Sequence, residues 1–441
     1  MATSQNNSRP QDDDLLVNLA HADTPAIIQV IGVGGGGCNA VAQMYREGIP
    51  GIQILACNTD SKSLETSPLP NRLQLGPGLG AGGRPELGRQ YAEESVEQIR
   101  ASFGKNVQMV FITAGMGGGT GTGASPVIAR EARKKGLLTV GIVTLPFLFE
   151  RERRIDKALD GLEAMAAEVD AMLVINNERL MDIYPTQSVI AAFRKADETL
   201  TVAVRSIVEI INMHGRIILD FRDVYVVLKD GGVAVISSGY GEGENRIAQA
   251  IRNALYSPLL NNNDVYRSRR LVFSITVASE EGPSALRVEE MNAIYDFTSR
   301  FHGDIETKWG LSFDPELGDR VKITILASGF SLYGNPPAPE VAAAPEASGE
   351  EEREERRATF YAEARQHKHS SVLATRPKIY LFSMEDLSNE FIVSLVDNVP
   401  TRTRTTADLQ RMVNQAASPR FVEEQEESGD NVIYFDEQNL K

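Results

Sequence analysis

The sequence predicts an α/β protein. A parallel-sheet first domain, a long central helix and a smaller α+β second domain follow one another, with a flexible tail behind them. Three observations carry that prediction. Apolar, β-rich runs alternate with helix-like runs between residues 27 and 168, and such alternation favours a parallel sheet covered on both faces. Two glycine-rich stretches, around Gly34 and Gly119, each follow a strand run and precede a helix run, which is where open α/β sheets bind ligands. From Val189 to Met213 the residues Ile190, Phe193, Asp197, Leu200, Val204, Ile207 and Ile211 keep a spacing of 3 and 4, so they share one face of a single long helix.

The elements follow in order. Residues 1–23 are polar, with Asp12, Asp13 and Asp14 in a row, and read as a disordered arm. The first domain, 24–188, has strand runs at Ile27–Ile31, Ile52–Cys57, Val107–Thr113, Leu138–Thr144 and Met172–Ile175. Its helix runs are Ala40–Glu47, Glu86–Phe103, Val127–Lys135 and Glu152–Glu168. The central helix occupies 189–213. The second domain, 214–333, has strand-like runs at Val224–Leu228, Val233–Ser237, Leu271–Val277 and Val321–Ala327, and helices at Glu244–Leu255 and Val288–Phe301. Residues 334–441 form a linker and tail. Asn335–Ala347 is rich in Pro and Ala, and Glu350–Arg357 is a charge run; both read as solvated linker. Apolar islands at Ile379–Val396 and Val432–Phe435 are where the tail could fold onto a partner.

Bulk composition narrows the function. The chain of 441 residues is 42% hydrophobic and 24% charged, as ordinary soluble globular proteins are. A net charge of −15 argues against nucleic-acid binding, which needs clustered Lys and Arg. A bound polyphosphate must then be held mainly by backbone amides and helix ends. The two cysteines, Cys38 and Cys57, have no metal-ligand spacing, and the five histidines form no cluster. Reduced thiols in a cytoplasmic protein are the expectation. No apolar run approaches the roughly 20 residues of a membrane helix, and Met1–Pro10 lacks a signal-peptide core. A membrane would be reached through a partner, not by direct insertion.

The first loop reads Gly32-Val33-Gly34-Gly35-Gly36-Gly37-Cys38-Asn39. Its glycines let backbone approach phosphate closely, and a helix N-terminus attracts anions. Gly32, Gly34 and Gly37 also match the dinucleotide fingerprint, a weak signal alone. The acidic residue that fingerprint wants is met only loosely, by Asn58-Thr59-Asp60. The second loop, Gly115 to Gly123, offers successive amides and the hydroxyls of Thr120 and Thr122, with its helix expected to begin near Ser125-Pro126. A dehydrogenase has no need of a second phosphate loop, and a P-loop needs a lysine that neither loop contains. Two Rossmann-like turns around the phosphates of one nucleotide fit better than a pair of flexible turns. Asp197 stands at a core position of the long helix, and a buried carboxylate is costly unless paired. The ring N–H and amino group of guanine would pair it, and so would an arginine. Phe193, one turn earlier, would pack on the base or simply fill the core.

Gly117 to Gly123 reads Gly-Gly-Gly-Thr-Gly-Thr-Gly and resembles the signature of the tubulin superfamily. Asn58-Thr59-Asp60, Gly78-Leu79-Gly80-Ala81-Gly82, Pro146-Phe147, Phe149-Glu150, Leu219-Asp220-Phe221 and Asp223 extend the likeness. Over Ile27–Phe330 the chain is similar to the FtsZ family of bacterial cell-division GTPases. The resemblance implies a GTPase domain that binds GTP or GDP, head-to-tail polymerisation into filaments, and a cytoplasmic protein at the mid-cell division site. By position it puts Gly34, Gly35, Gly36, Gly37, Cys38 and Asn39 at the phosphates and nucleoside. Gly117, Gly118, Gly119, Thr120, Gly121, Thr122 and Gly123 would wrap the β- and γ-phosphates, with Asp60, Ala81 and Gly82 in flanking loops. Glu150 and Arg154 would lie near the ribose, and Asn177, Phe193 and Asp197 at the base. Asp220 and Asp223 would enter the nucleotide site of the next subunit and position the attacking water. Magnesium is the expected cation, because hard oxygen ligands suit it, with no dedicated protein metal site. Cell-division adaptor proteins would read the C-terminal tail.

The chain also departs from that pattern. Ile218 stands where the family commonly has Asn, Arg222 separates the two aspartates, Arg151 replaces a Gly, Gly83-Arg84 replaces Ala-Asn, and Cys38 replaces a Gly. Ile218 and Arg222 bear on the hydrolysis rate, so the alternative reading is a tubulin-like filament that binds GTP and hydrolyses it weakly or not at all.

Overall fold

The computed structural model describes residues 26–183, 186, 188–256, 265–301, 305–332, 353–354 and 356–361. The expected arm at 1–23, the Pro/Ala-rich stretch and both apolar islands of the tail lie outside the described residues.

The five apolar runs of the first half form β1 (Ile28–Val33), β2 (Ile52–Asn58), β4 (Met109–Gly115), β5 (Leu138–Leu145) and β6 (Ala171–Asn176), and a short β3 (Arg72–Gln74) joins them. All pair in parallel, in the order β3-β2-β1-β4-β5-β6. Successive strand residues point to opposite faces, and the core divides accordingly. Met109 and Phe111 enter one apolar cluster, Val110 and Ile112 the other. The first face is covered by α1 (Gly34–Arg46) and by α8 (Val189–Asn212). The second is covered by α3 (Pro85–Glu94), α4 (Val96–Ser102), α5 (Thr120–Lys134) and α6 (Glu152–Ala166). Two short helices, α2 (Ser61–Glu65) and α7 (Asn177–Ile183), follow β2 and β6.

α8 is the expected central helix. Its 24 residues span about 36 Å at 1.5 Å per residue. The buried part of its seam, Leu200, Val204 and Ile207, packs with Phe111 of the first half and with Ile236, Val272 and Leu326 of the second. The second half contains β7 (Gly215–Ile217), α9 (Phe221–Leu228), β8 (Gly232–Gly241), α10 (Arg246–Leu255), β9 (Arg270–Val277), α11 (Met291–Thr298), β10 (Glu306–Phe313) and β11 (Val321–Phe330). Here β11 runs antiparallel to β8 and β9, while β10 is parallel to β9 and antiparallel to β7. This mixed pairing fits the expected α+β character. β8 also pairs with β6 through Ala171↔Gly232 and Met172↔Val233, so the strands form one 11-stranded sheet ending β6-β8-β11-β9-β10-β7.

Several expectations need correction. Val224–Leu228, expected as a strand, is the body of helix α9. Asp220 caps it, its Oδ1 accepting the amides of Arg222 and Asp223, and the Asp223 carboxylate accepts the Asp220 amide in return. That reciprocal cap nucleates a helix, and Val224, Val227 and Leu228 then share its buried side. The run Glu86–Phe103 breaks at Ser95, whose hydroxyl donates to the carbonyl of Tyr91 instead of letting one helix continue. The helix expected from Ser125-Pro126 begins at Thr120, leaving Pro126 inside it. β3, β7 and β10 carried too few apolar residues to show. The charge run ending at Arg357 is not wholly solvated: 356–361 are helical, and Arg357 and Tyr361 are buried.

Candidate functional site

β1 and β4 are neighbours with matched ends, Val33 opposite Ala114. Each is followed by a helix whose first turn is glycine-rich, so two helix N-termini face one place. The amides of a first helical turn lack intrahelical acceptors, and the peptide dipoles add positive potential there. The loops meet so closely that side chains are excluded. A Cβ on Gly34, where φ is +72°, would lie 2.8 Å from the Gly121 nitrogen, and one on Gly121 would lie 2.5 Å from the Gly115 carbonyl. A Cβ on Gly119 would meet that of Ala81 at 2.8 Å, which brings the Ala81-Gly82 loop to the same place. Gly35 and Gly118, by contrast, face open space. The result is a cradle of backbone amides whose walls touch and whose mouth is clear. The flanking loop is set by Asn58, which accepts the amide of Thr59, and by Asp60, which caps α2 through the amide of Lys62. Thr59 and Thr120 join hydroxyls at 2.6 Å.

Three residues expected at the phosphates also make contacts within the protein. The Cys38 thiol is buried and directed at the carbonyls of Cys57 and Gly32, 3.5 and 3.6 Å away; burial pushes it up to about 12. The Thr122 hydroxyl accepts the Gly117 amide at 2.9 Å and so shapes the loop from within. Gly123 spends its amide on the Gly119 carbonyl, and a Cβ there would meet the Pro85 carbonyl at 1.9 Å. Its smallness serves the packing of α3 on α5. Gly88 of α3 does the same from the other side, with the Gly119 carbonyl 2.4 Å from where its Cβ would stand. A lone helical glycine left no sequence signal of that role.

The residues expected at the nucleoside lie next to the cradle. Glu150 accepts the Phe147 amide at 2.9 Å and pairs with Arg154 at 3.0 Å, and the Arg154 stem packs on Gly117. Phe147 is buried; Phe149 stacks on it and Phe193 meets it edge-on, ring centroids 5.1 and 5.0 Å away. Phe193 is 43% exposed and is therefore not plain core. Asn177, opening α7, is buried, and its Oδ1 has no partner among the described residues. Leaving such a group unsatisfied costs about 1–3 kcal/mol, which a ligand donor would remove. Asp197 is only half-buried, short of the core position its spacing suggested, because the seam opens before Leu200. Among the described residues its carboxylate has no ion pair or hydrogen bond. Burial raises it to about 7 against the opposing pull of Arg46. The arginine partner considered from sequence is thus present only as a distant charge.

Asp220 and Asp223 are absent from this cluster. They follow β7, the last strand of the sheet, seven places from β4, which is roughly 34 Å along the sheet at about 4.8 Å per strand. Asp220 is exposed, and Lys308 lies 3.6 Å from Asp223. Around them Ile217, Ile218 and Trp309 are exposed, at 36%, 64% and 43%. An acidic pair ringed by apolar surface has the makeup of a contact face. Among the described residues no group of three or more His, Cys, Asp or Glu is arranged to hold a metal. No helix among them is long and apolar enough to cross a membrane.

Known proteins share this arrangement. Residues 27–185 match the family model for the GTPase domain of the Tubulin/FtsZ family, residues 232–331 that for the FtsZ family C-terminal domain, and residues 374–419 that for an FtsZ C-terminal segment. The last match overlaps the first apolar island of the tail. Cell division protein FtsZ of Porphyromonas gingivalis is 53% identical over 327 residues, covering 73% of this chain and 71% of its own. The protein of that name from Aquifex aeolicus is 41% identical over 311 residues, 69% of this chain and 83% of its own. A solved structure, the empty FtsZ dimer of M. jannaschii, superposes with a TM-score of 0.63 at 35% identity, over 77% of this chain and all of that one.

Proposed function

Since the chain belongs to the Tubulin/FtsZ family and is a GTPase of its cell-division branch, we propose that GTP lies between the two glycine loops and is hydrolysed only after a second copy has docked. The protein polymerises, and the division of its site between two distant faces carries the reading. The amides at the starts of α1 and α5 hold the phosphates. Asn177 and Asp197 read guanine: the carboxylate accepts the ring N–H and amino group, and neither that carboxylate nor the Asn177 Oδ1 has another partner among the described residues. Phe193 covers the base, and Glu150 with Arg154 lines the ribose.

Hydrolysis needs an oriented water and stabilised phosphate charge. The cradle supplies positive potential and no base. Asp220 and Asp223 supply carboxylates and no phosphate site. Docking head to tail would bring the pair of one copy to the cradle of the next, where a carboxylate orients the attacking water. Ile217, Ile218 and Trp309 would be covered by the same contact. Magnesium, when bound, neutralises phosphate charge. The donor set suits an ion carried mainly by phosphate oxygens and water, as magnesium commonly is. The tail beyond 361 would meet division adaptors and bring the filament to mid-cell.

The test is phosphate release against protein concentration. The specific rate should rise with concentration and then level. Asp223→Asn should bind GTP normally and lose hydrolysis by about 100-fold or more. A rate per molecule independent of concentration would exclude the shared site. A wild-type rate near zero despite filament formation would favour the weakly hydrolysing alternative.

A further inference from the structure

Residues 353–354 and 356–361 form a helical segment that returns to the nucleotide half of the protein. Two arginines meet the acidic side of α6. Arg357 donates to both oxygens of Asp156 at 2.6 and 2.7 Å and lies 3.4 Å from Glu152. Arg356 donates to Asp160 at 3.0 Å and lies 3.0 Å from Glu163. Exposed ion pairs contribute little, but Arg357 is buried and its pair is bidentate. Tyr361 is 1% exposed and joins the apolar cluster of Met116, Ile155 and Leu159. Its hydroxyl donates to the Pro146 carbonyl at 2.7 Å. Burial, with the nearby charges of Glu178 and Glu150, holds its phenol protonated.

These contacts end on the nucleoside loops. Pro146 precedes Phe147, and Asn176 precedes Asn177, whose Oδ1 has no partner among the described residues. Asn176 donates to the Phe360 carbonyl at 2.7 Å and accepts the Glu178 amide at 3.0 Å. Glu178 in turn accepts the amide of Leu148 at 2.8 Å. One hydrogen-bonded chain therefore runs from the returning segment through β6 to the turn that carries Glu150. α6, which the arginines grip, carries Arg154.

We propose that residues 353–354 and 356–361 belong to a strap whose docking surface is the acidic side of α6 and the slot between Pro146 and Asn176, and that its seating tightens the nucleoside half of the site. This rests on the nucleotide reading above. The coupling is reciprocal: whatever lifts the strap weakens nucleotide binding, and bound nucleotide holds the strap down. The tail that continues from Tyr361 is thereby connected to the base and ribose contacts.

The experiment uses the full chain with Tyr361→Ala, Arg357→Asp, and the charge swap Arg357→Asp with Asp156→Arg. Amide exchange at 147–150 and 176–178 is measured without nucleotide. Affinities are measured for GDP and for inorganic tripolyphosphate, which probes the cradle alone. Both single variants should speed exchange at those amides and weaken GDP by roughly 5-fold to 150-fold. Tripolyphosphate should bind as in wild type, and the swap should recover GDP affinity. Unchanged exchange would overturn the docking. Faster exchange with unchanged GDP affinity, or equal losses for both probes, would overturn the coupling. A wild-type chain that binds tripolyphosphate and no GDP would sink the nucleotide reading and the coupling with it, while the exchange results would still decide the docking.

Discussion

Asp197 makes the apo protein sensitive to pH. Its folded value, about 7, lies above its ordinary 3.8. A raised carboxylate contributes stability that is full below the ordinary value and is lost as pH rises through the folded one. In the proposed site guanine donors favour the ionised form, so binding would expel the proton. GDP affinity should therefore be flat above pH 7 and fall about tenfold per unit below it. Titration across pH 5–8 checks this, and Asp197→Asn should bind weakly without that slope. Arg151 shows a different constraint. It begins α6 at φ +73°, in the left-handed region that favours glycine, where the resemblance noted a Gly in the family. Such a residue stores strain of order 1–3 kcal/mol, part of which glycine would return through its freer unfolded chain. Arg151→Gly should raise unfolding free energy by about 1 kcal/mol in denaturant melts.

α5 carries the second glycine loop, and one buried carboxylate anchors it. Glu131 is 1% exposed and accepts from Arg100, Arg130 and Lys134 at 2.7, 3.2 and 2.9 Å. Burial alone would raise it, but the cations outweigh burial and hold it down to about 2. Its contribution is present above the ordinary carboxylate value and is lost as pH falls toward 2. The three cations are exposed enough to rehydrate once the carboxylate is gone, so Glu131→Gln should lose about 2 kcal/mol, the worth of hydrogen bonds to a charged group, read by chemical denaturation at pH 7. Arg130 also pairs with Glu93 of α3 at 2.7 Å. With Gly88 packed on Gly119 and Gly123 packed on Pro85, that bridge holds α3 and α5 close together beside the cradle. The returning segment does for α6 what Glu131 does for α5. Its charge run looked like solvated linker, and only its matching with the acidic side of α6 distinguishes it.

Across the whole molecule the two halves of the proposed active site lie at separate places along one sheet. A head-to-tail contact joins unlike surfaces, so two variants damaged on opposite faces should complement each other. Asp223→Asn keeps its nucleotide face and Asp197→Ala keeps its acidic face. Mixed in equal amounts, two nearly inactive proteins should recover about a quarter of the wild-type hydrolysis, the share of productive junctions in a random polymer. Phosphate release from the mixture checks this. Recovery no greater than the sum of the separate rates would place both functions in one molecule.

The sequence by itself determined the parallel half-sheet, the central helix and the two glycine loops. Each is written in local periodicity or in residues whose backbone freedom is their signal. Local signals misled at Val224–Leu228, where apolar β-branched residues read as strand until the Asp220–Asp223 cap made them a helix. Only the tertiary structure decided which loop residues face the cradle and which face the core, as at Cys38, Thr122 and Gly123. Only it seated Tyr361 behind the loops that follow β5 and β6, more than 200 residues from the Pro146 carbonyl it meets. A contact at that separation leaves no local pattern, because it is created when the sheet brings distant segments of the chain to one place.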